Sequence, residues 1–317
     1  MNVPQAEFIP AARSAPPELS FLARLFDNRN FLGLLFMLPA ALLLLVFLTY
    51  PLGLGTYLGF TDAKVGRPGV WIGIENYEFL MTDSVFRLSV WNTFLYTFIA
   101  SAAKFVLGLW LALLLNEHIP FKAFIRAIVL LPFIVPTVLS AIAFWWIYDA
   151  QFSVISWLLT KIGVIHTYIN FLGEPNLARM SVIIANIWRG VPFVAICLLA
   201  GLQTISPSLY EAAAIDGANG RQTFLRVIVP AMKPINVTII VVTVMESLRA
   251  FDMVYVLSGN NGSKQGLELL SLLITNNTVG ESPRPGYGSA LATVLLVVSM
   301  AAIVTFLVQN FRKERQA

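Results

Sequence analysis

The 317-residue chain is 57% hydrophobic and only 12% charged, whereas soluble domains average roughly 45–50% apolar and about 25% charged residues. This composition excludes an ordinary soluble globular protein. Asp, Glu, Lys, Arg and His are all absent between Phe31 and Thr61, and that stretch is longer than the roughly 20 residues that a helix needs to cross a bilayer. The net charge of +4 therefore bears on membrane orientation, and it indicates no nucleic-acid partner.

The N-terminal stretch does not have the pattern of a secretory signal peptide. Residues 1–30 are mostly polar and contain several prolines, whereas a signal peptide places its apolar region close to the start. We therefore expect a cytoplasmic tail there. The single cysteine, Cys197, and the two separated histidines, His118 and His166, offer no disulfide framework, and we expect no metal site and no cofactor on this chain.

Six apolar windows are long enough to be membrane-spanning helices. Strand-like alternation is absent from them, and a helix satisfies its own backbone in lipid. We predict an all-α membrane protein with a transmembrane domain over 31–311 and a short cytoplasmic tail over 312–317. The predicted spans are 31–55, 88–116, 127–148, 180–204, 235–257 and 286–310.

Basic residues outside the spans indicate the orientation. With a cytoplasmic N-terminus, the loops that face inward carry more Lys and Arg than the loops that face outward. The positive-inside rule therefore favours both termini on the cytoplasmic side. One outward loop, residues 151–163, has the pattern of a short helix lying at the membrane interface.

The longest inward loop, 205–234, has the pattern of folded helices. Ser206 is a candidate N-cap and Pro207 fits a first helical turn. The next residues, 210–215, are mostly helix formers. Gly217 can adopt the positive φ that ends a helix.

A second helix is predicted directly after that turn. Asn219 and Gln222 have the spacing of a capping box, and an apolar face follows before Pro230 is expected to stop the helix. That face consists of Phe224, Val227 and Ile228. Two interpretations are open: the loop docks onto a partner, or it is a connector packed against its own helices.

The string EAAAIDGANGRQTFLRVIVP within this loop resembles the EAA motif of binding-protein-dependent ABC importer permeases. The motif positions are Glu211, Ala212, Ala213, Gly217, Val227, Val229 and Pro230. The strings LTYPLGLGTYLGF, WNTFLYT and FDMVYVLSG are similar to sugar permeases of the maltose-transporter type, and this likeness covers most of residues 31–310. One departure is SGNNGSKQG at 258–266, where that group carries a glycine-rich stretch ending in proline.

The resemblance implies the type I ABC importer permease fold, with a core over 88–310. It implies that the EAA loop inserts into a cleft of an ATPase subunit and transmits nucleotide-driven closure. The residues it assigns to coupling are Glu211, Ala212, Ala213, Asp216, Gly217 and Pro230. It further implies a bacterial inner-membrane location, a second homologous permease in a heterodimer, two ATPase subunits and an external substrate-binding protein.

ATP hydrolysis is expected on another chain. The phosphate-binding pattern GxxxxGK[ST] is absent from the sequence, so nothing in it would cradle the phosphates of ATP. We therefore expect no catalytic residue here, with ATP and Mg²⁺ bound by the ATPase subunits. The patterns HExxH and GxSxG are also absent, which argues against an intramembrane enzyme.

Charged residues inside the spans mark cavities or ion pairs, since each costs roughly 2.5–3.5 kcal/mol in lipid. Glu246, Arg249 and Asp252 are three residues apart, so one continuous helix would place them on one face. They form either an ion-pair stripe that satisfies itself or a polar wall of the translocation pathway.

Two further cations lie inside predicted spans. Arg189 either hydrogen-bonds the solute or pairs with Glu246, and Lys104 is interpreted as a snorkelling side chain. The tryptophans Trp145, Trp146 and Trp188 are candidates to stack on a sugar ring, and for Trp145 and Trp146 the alternative is to anchor the membrane interface. A different function also remains open: a self-sufficient secondary transporter coupled to an ion gradient through Glu246 or Asp252.

Overall fold

The computed structural model describes residue 26 and residues 28–117, 120–259 and 264–315. The chain divides into two compact units, residues 1–54 and 55–317. Within the described ranges the regular structure is helical, with only isolated β-bridges beside it. The predicted tail over 1–30 lies almost wholly outside these residues, as does the middle of the segment 258–266.

The first unit contains most of helix α1, Arg29–Leu58. Asn28 caps its start, because the side-chain oxygen accepts hydrogen bonds from the backbone of Asn30 and Phe31. A π-helical turn, Leu45–Thr49, interrupts the α-helical geometry. This helix matches the first predicted span and extends a little further at both ends.

The second unit holds the remaining helices. They are α2 (Glu75–Thr82), α3 (Ser84–Asn116), α4 (Lys122–Ile134), α5 (Thr137–Ile147), α6 (Val154–Lys161), α7 (Pro175–Leu202), α8 (Pro207–Ile215), α9 (Gly220–Ala231), α10 (Lys233–Leu248), α11 (Asp252–Leu257), α12 (Lys264–Leu267), α13 (Leu270–Val279) and α14 (Pro285–Arg315). Helix α6 confirms the short helix expected within 151–163, and Ser153 caps it by accepting the backbone N–H of Ser156 at 3.1 Å.

Four described helices, α1, α3, α7 and α14, are long and apolar enough to cross a membrane. Two further candidate spans are bent. One consists of α4 and α5, and the other consists of α9 and the segment Lys233–Leu257, which contains α10 and α11. Counting each bent pair as one span gives six, in agreement with the all-α membrane fold predicted from the apolar windows.

The third predicted span, 127–148, is wrong as a continuous helix. Helices α4 and α5 meet at an angle of 87°. Val135 between them is extended, with ψ of 130°, because the ring of Pro136 disfavours helical geometry in the residue before it.

The fifth predicted span, 235–257, is also interrupted. Helix α10 ends at Leu248 and α11 begins at Asp252, and Phe251 between them lies outside helical geometry at φ −129° and ψ −62°. Ser271 of α13 donates a hydrogen bond to the carbonyl of Ala250. This bond gives a partner to the carbonyl of Ala250, which lies in the non-helical break between α10 and α11.

Helices α3 and α7 form the central pair of the second unit and pack against one another along much of their length. Gly108 makes this approach possible, since a Cβ there would lie 2.5 Å from Cγ1 of Val194. Buried apolar clusters surround the pair on several sides. The pair is therefore a scaffold against which α10 and the broken helices are placed.

Candidate functional site

The EAA loop folds as a helix, a tight turn and a second helix. Pro207 occupies the first turn of α8 as predicted, and Ser206 holds the N-cap position. The predicted capping by Ser206 is wrong, because its hydroxyl lies 2.8 Å from the hydroxyl of Ser208 and makes no bond to the helix backbone.

Gly217 makes the turn that the sequence predicts. Its φ is +72°, a conformation that costs side chains with a Cβ but not glycine. The N–H of Ala218 bonds the carbonyl of Ala213 at 2.9 Å, and the N–H of Gly217 bonds the carbonyl of Ala214 at 3.1 Å. This pair of hydrogen bonds is the Schellman motif, which satisfies the free carbonyls at the end of α8.

Asn219 and Gln222 form the capping box expected from their spacing. The side chain of Asn219 accepts the N–H of Gln222 at 2.9 Å, and the side chain of Gln222 accepts the N–H of Asn219 at 2.9 Å. Both ends of the turn are therefore fixed by hydrogen bonds. The loop is a stiff element.

Pro230 does not stop the second helix where the sequence predicted. Helix α9 continues through Pro230 to Ala231 and bends by 71° into the following helix. A π-helical turn, Phe224–Ile228, precedes the proline, and the N–H of Val229 bonds the carbonyl of Phe224. The widened turn changes the local register, which allows a proline to be accommodated inside a helix.

The residues assigned to coupling differ in exposure. Glu211, Ala212 and Asp216 are exposed, whereas Ala213 is buried within its own chain. Ile215 is 86% exposed at the end of α8, and the sequence reasoning missed it. The sequence feature that could have identified it is an apolar side chain directly before the polar turn.

Three charged side chains from different helices meet inside the bundle. Nζ of Lys104 on α3 lies 3.1 Å from Oε2 of Glu246 on α10, and Nη1 of Arg189 on α7 lies 3.6 Å from Oε1. The side chain of Lys104 is completely buried, while Glu246 is 35% exposed and Arg189 18% exposed. Arg189 lies near the middle of α7, about 20 Å from either end at 1.5 Å per residue.

The geometry of this cluster confirms one of the two predictions for Arg189, and it shows that the interpretation of Lys104 as a snorkelling side chain is wrong. Arg189 pairs with Glu246, as one alternative predicted. Lys104 does not snorkel to a membrane surface, because its ammonium also contacts the hydroxyl of Ser247 at 3.4 Å. Gly190 leaves room for the lysine, since a Cβ there would lie 2.5 Å from Cδ of Lys104.

The predicted stripe of Glu246, Arg249 and Asp252 is wrong as a structural unit. Arg249 and Asp252 are both exposed, and neither forms an ion pair within 4.0 Å with Glu246 or with the other. The end of α10 at Leu248 is the physical reason, because the three-residue spacing aligns side chains only along an unbroken helix.

Helix α3 carries a buried polar face that the sequence reasoning reduced to Lys104 alone. Its members recur every three or four residues, the period of one helix face. They are Ser89, Asn92, Thr93, Tyr96, Thr97, Ser101 and Lys104. The sequence feature that could have revealed this face is the recurrence of polar residues every three or four positions inside a span of high hydropathy.

Several buried polar atoms near this face have no hydrogen-bond partner among the described residues. They are Thr97 Oγ1, Ser140 Oγ and Arg189 Nε. Unpaired buried polar groups are costly. Such groups, close to a charged cluster in one bundle, are suited to contact with a polar solute or with water.

Near one end of α3, Asn92 connects three elements. Its amide donates to the carbonyls of Gln265 and Glu268 at 2.9 and 3.1 Å, and its oxygen accepts Nε of Arg179 at 2.8 Å. Arg179 also donates to Oδ1 of Asn176 at 2.7 Å. The segment that precedes α13 is thus tied to both helices of the central pair.

Residues 104–315 match the family described as "Binding-protein-dependent transport system inner membrane component". The chain is 33% identical to the trehalose/maltose transport system permease protein MalF of Thermococcus litoralis over 288 residues, covering 89% of this chain and 95% of that protein. It is 34% identical to the sulfoquinovosyl glycerol transport system permease protein SmoG of Agrobacterium fabrum over 278 residues, covering 87% and 89%.

A solved structure shows the same fold. A chain from the crystal structure of a bacterial ABC transporter that imports the acidic polysaccharide alginate superposes with a TM-score of 0.80 at 24% identity. The match covers 91% of this chain and 99% of that chain. The predicted permease fold agrees with this likeness.

Proposed function

Because the chain belongs to the family of binding-protein-dependent transport system inner membrane components, we propose that it forms the translocation pathway of an ATP-driven importer for a sugar or a related small polar solute. An external binding protein delivers the solute. The chain itself is a transport subunit and not an enzyme.

The sugar class rests on the curated relatives. The proteins of Thermococcus litoralis and Agrobacterium fabrum are permeases for trehalose or maltose and for sulfoquinovosyl glycerol, and this chain covers most of each. These solutes share many hydroxyl groups, which suit the unpaired polar atoms beside the cluster of Lys104, Glu246 and Arg189.

The geometry of the EAA loop is the observation that carries the proposal. Hydrogen bonds on both sides of Gly217 make the turn stiff, and Glu211, Ala212, Ile215 and Asp216 are exposed beside it. A stiff and exposed element can pass a displacement from one subunit to another, which a flexible tether cannot do. We assign this surface to the ATPase subunit, which would bind ATP and Mg²⁺.

Arg189 and Glu246 are assigned to the wall of the pathway. Glu246 is one-third exposed although it belongs to a membrane-spanning segment, and a partly exposed carboxylate there faces a polar cavity or a protein partner in preference to lipid. Arg249 and Asp252 are exposed near the outer end of the same segment. We place them at the outer mouth of the pathway.

We further propose an orientation in the membrane and a set of partner subunits for this chain. Both termini and the EAA loop lie on the cytoplasmic side of the inner membrane, where two ATPase subunits bind. A second homologous permease completes the pathway as a heterodimer. The external binding protein docks on the opposite face.

Transport in reconstituted vesicles tests the proposal. The permease complex would be assembled with and without the ATPase subunits, with the binding protein and ATP supplied, and uptake of labelled maltose, trehalose and sulfoquinovosyl glycerol would be measured. We expect ATP-dependent uptake of at least one of them only when the ATPase is present. Uptake driven by an ion gradient without the ATPase would instead identify a secondary transporter and refute the proposal.

A further inference from the structure

The charges of the buried cluster do not balance. Lys104 and Arg189 both contact Glu246, so two cations share a single carboxylate. Arg249 and Asp252, the charged residues that follow Glu246 in the chain, form no ion pair with any member of the cluster. A surplus positive charge inside a membrane protein is unfavourable unless a counter-charge meets it.

The two cations are held very differently. Lys104 is fully buried, and its ammonium lies within hydrogen-bond distance of both Glu246 and Ser247. Arg189 makes no hydrogen bond in the part of the chain that the structure describes, and its nearest carboxylate oxygen is 3.6 Å away. Lys104 therefore neutralises Glu246 through a direct hydrogen bond, and Arg189 carries the surplus positive charge of the cluster.

Arg189 also has the geometry of a ligand-binding side chain. Its guanidinium lies above the ring of Phe133, with 5.9 Å between Cζ and the ring centroid, which restricts the plane of the group. Nε is buried without a partner, and the side chain is 18% exposed. A planar fork of N–H donors held in this way suits bidentate binding of a carboxylate, sulfonate or phosphate.

We infer that Lys104 is a positioning residue that keeps Glu246 occupied, so that Arg189 is left to bind an anionic group of the solute. The inference rests on the proposed function and extends it from a polar solute to one with a negative charge. Without Lys104, Arg189 is the one cation among the described residues that still pairs with Glu246, and the pair is neutral. Removing Lys104 and Glu246 together restores the single positive charge on Arg189.

A series of charge variants tests this relationship with a ligand that needs no receptor. The permease complex would be purified, and saturation-transfer NMR would compare D-glucuronate with D-glucose, which lacks the carboxylate. The variants are Lys104→Met, Arg189→Gln, the double variant Lys104→Met/Glu246→Gln, and that double variant combined with Arg189→Gln. Lys122→Met is the control, since that lysine bonds the carbonyl of Asn116 away from the cluster.

We expect glucuronate to bind the native complex, the double variant and the control. Binding should fall by about tenfold or more in Lys104→Met, in Arg189→Gln and in the double variant combined with Arg189→Gln, which is the scale of one charge-assisted hydrogen bond. The binding of glucose should not change in this order across the variants. Thermal unfolding on the same samples identifies variants that misfold. If Lys104→Met misfolds, the double variant still tests the inference, because it keeps the net charge of +1 that the native cluster carries.

Binding of glucuronate that is independent of Arg189, or a well-folded double variant as weak as Lys104→Met, would overturn the inference. So would absence of binding to the native complex, because Arg189 would then have another counter-charge, such as a carboxylate of the second permease. ATP-dependent uptake of a neutral sugar alone would likewise overturn the anionic assignment and leave the proposed function intact. Loss of ATP dependence would refute the proposed function itself.

Discussion

Gly190 on α7 leaves the space that the side chain of Lys104 on α3 occupies. A Cβ at position 190 would lie 2.5 Å from Cδ, 2.9 Å from Cε and 3.2 Å from Nζ of the lysine. The absence of a side chain on one helix thus allows a cation on the other to reach Glu246 on a third.

The first prediction concerns this contact. Gly190→Ala should push Lys104 away from Glu246, because real Cβ atoms do not approach neighbours so closely. We expect a loss of stability of about 1–3 kcal/mol, the usual cost of overpacking, together with reduced uptake. Gly55→Ala is the matched control, since nothing lies within 4 Å of its added Cβ. Equal uptake in the two variants would contradict the role of Gly190.

A second prediction separates the cluster from the stripe that the sequence suggested. Glu246→Leu should destabilise the protein by about 3–5 kcal/mol, the cost of leaving a buried charge unpaired, because Lys104 is completely buried behind it. Arg249→Leu should change stability by no more than about 0.5 kcal/mol, since Arg249 is exposed. Thermal unfolding in one detergent would measure both. A larger loss of stability in Arg249→Leu than in Glu246→Leu would instead support an ion-pair stripe of Glu246, Arg249 and Asp252.

The apolar windows and the EAA motif were sufficient to predict the overall architecture and the turn. Six charge-poor stretches become four continuous and two bent spans, and the turn at Gly217 and the capping box at Asn219 follow from local residue preferences. Local rules succeed here because the hydrogen bonds join residues only three to five positions apart.

The charged cluster could not be predicted in the same way. Lys104 and Glu246 are separated by 142 positions in the chain, and their contact depends on how α3, α7 and α10 pack. The helix break after Leu248 has no proline or glycine to mark it in the sequence. A periodicity argument extended across that break therefore grouped Glu246 with Arg249 and Asp252, which the structure separates.

A third prediction addresses the exposed apolar residue of the EAA loop. Ile215→Ser should leave the stability of the chain unchanged, because the side chain is 86% exposed. If it contacts the ATPase subunit, the change should weaken assembly by about tenfold, since burying an isoleucine contributes about 1.5–3 kcal/mol. Co-purification of the ATPase measures this. Ile162→Ser, at an exposed isoleucine beyond α6, should not alter assembly, and equal effects would argue against docking at Ile215.

A fourth prediction concerns Asn92. Asn92→Ala should destabilise the protein by about 1–3 kcal/mol, because the carbonyls of Gln265 and Glu268 and Nε of Arg179 would lose a buried partner. Asn176→Ala removes an exposed partner of the same arginine and should cost less than about 1 kcal/mol. Hydrogen exchange over 264–270 would show faster exchange in the first variant only. Unchanged exchange there would mean that Asn92 does not hold this segment.

The last prediction tests coupling at Gly217. Gly217→Val should uncouple transport from ATP hydrolysis, because a branched side chain at φ +72° costs of order 1–3 kcal/mol and the Schellman turn would rearrange to relieve it. Gly163→Val is the matched control, since Gly163 has a φ of +77° in a loop outside the EAA segment. Both variants carry the same backbone strain, and only the first should lower receptor-stimulated ATPase activity and uptake. Glu211→Ala should act in the same direction but more weakly, because it removes one exposed carboxylate and leaves the backbone unchanged. Measuring membrane insertion, ATPase association, stimulated hydrolysis and uptake on the same preparations separates a coupling defect from a folding defect. Normal stimulation in Gly217→Val, or an equal loss in Gly163→Val, would show that the EAA loop is only a connector.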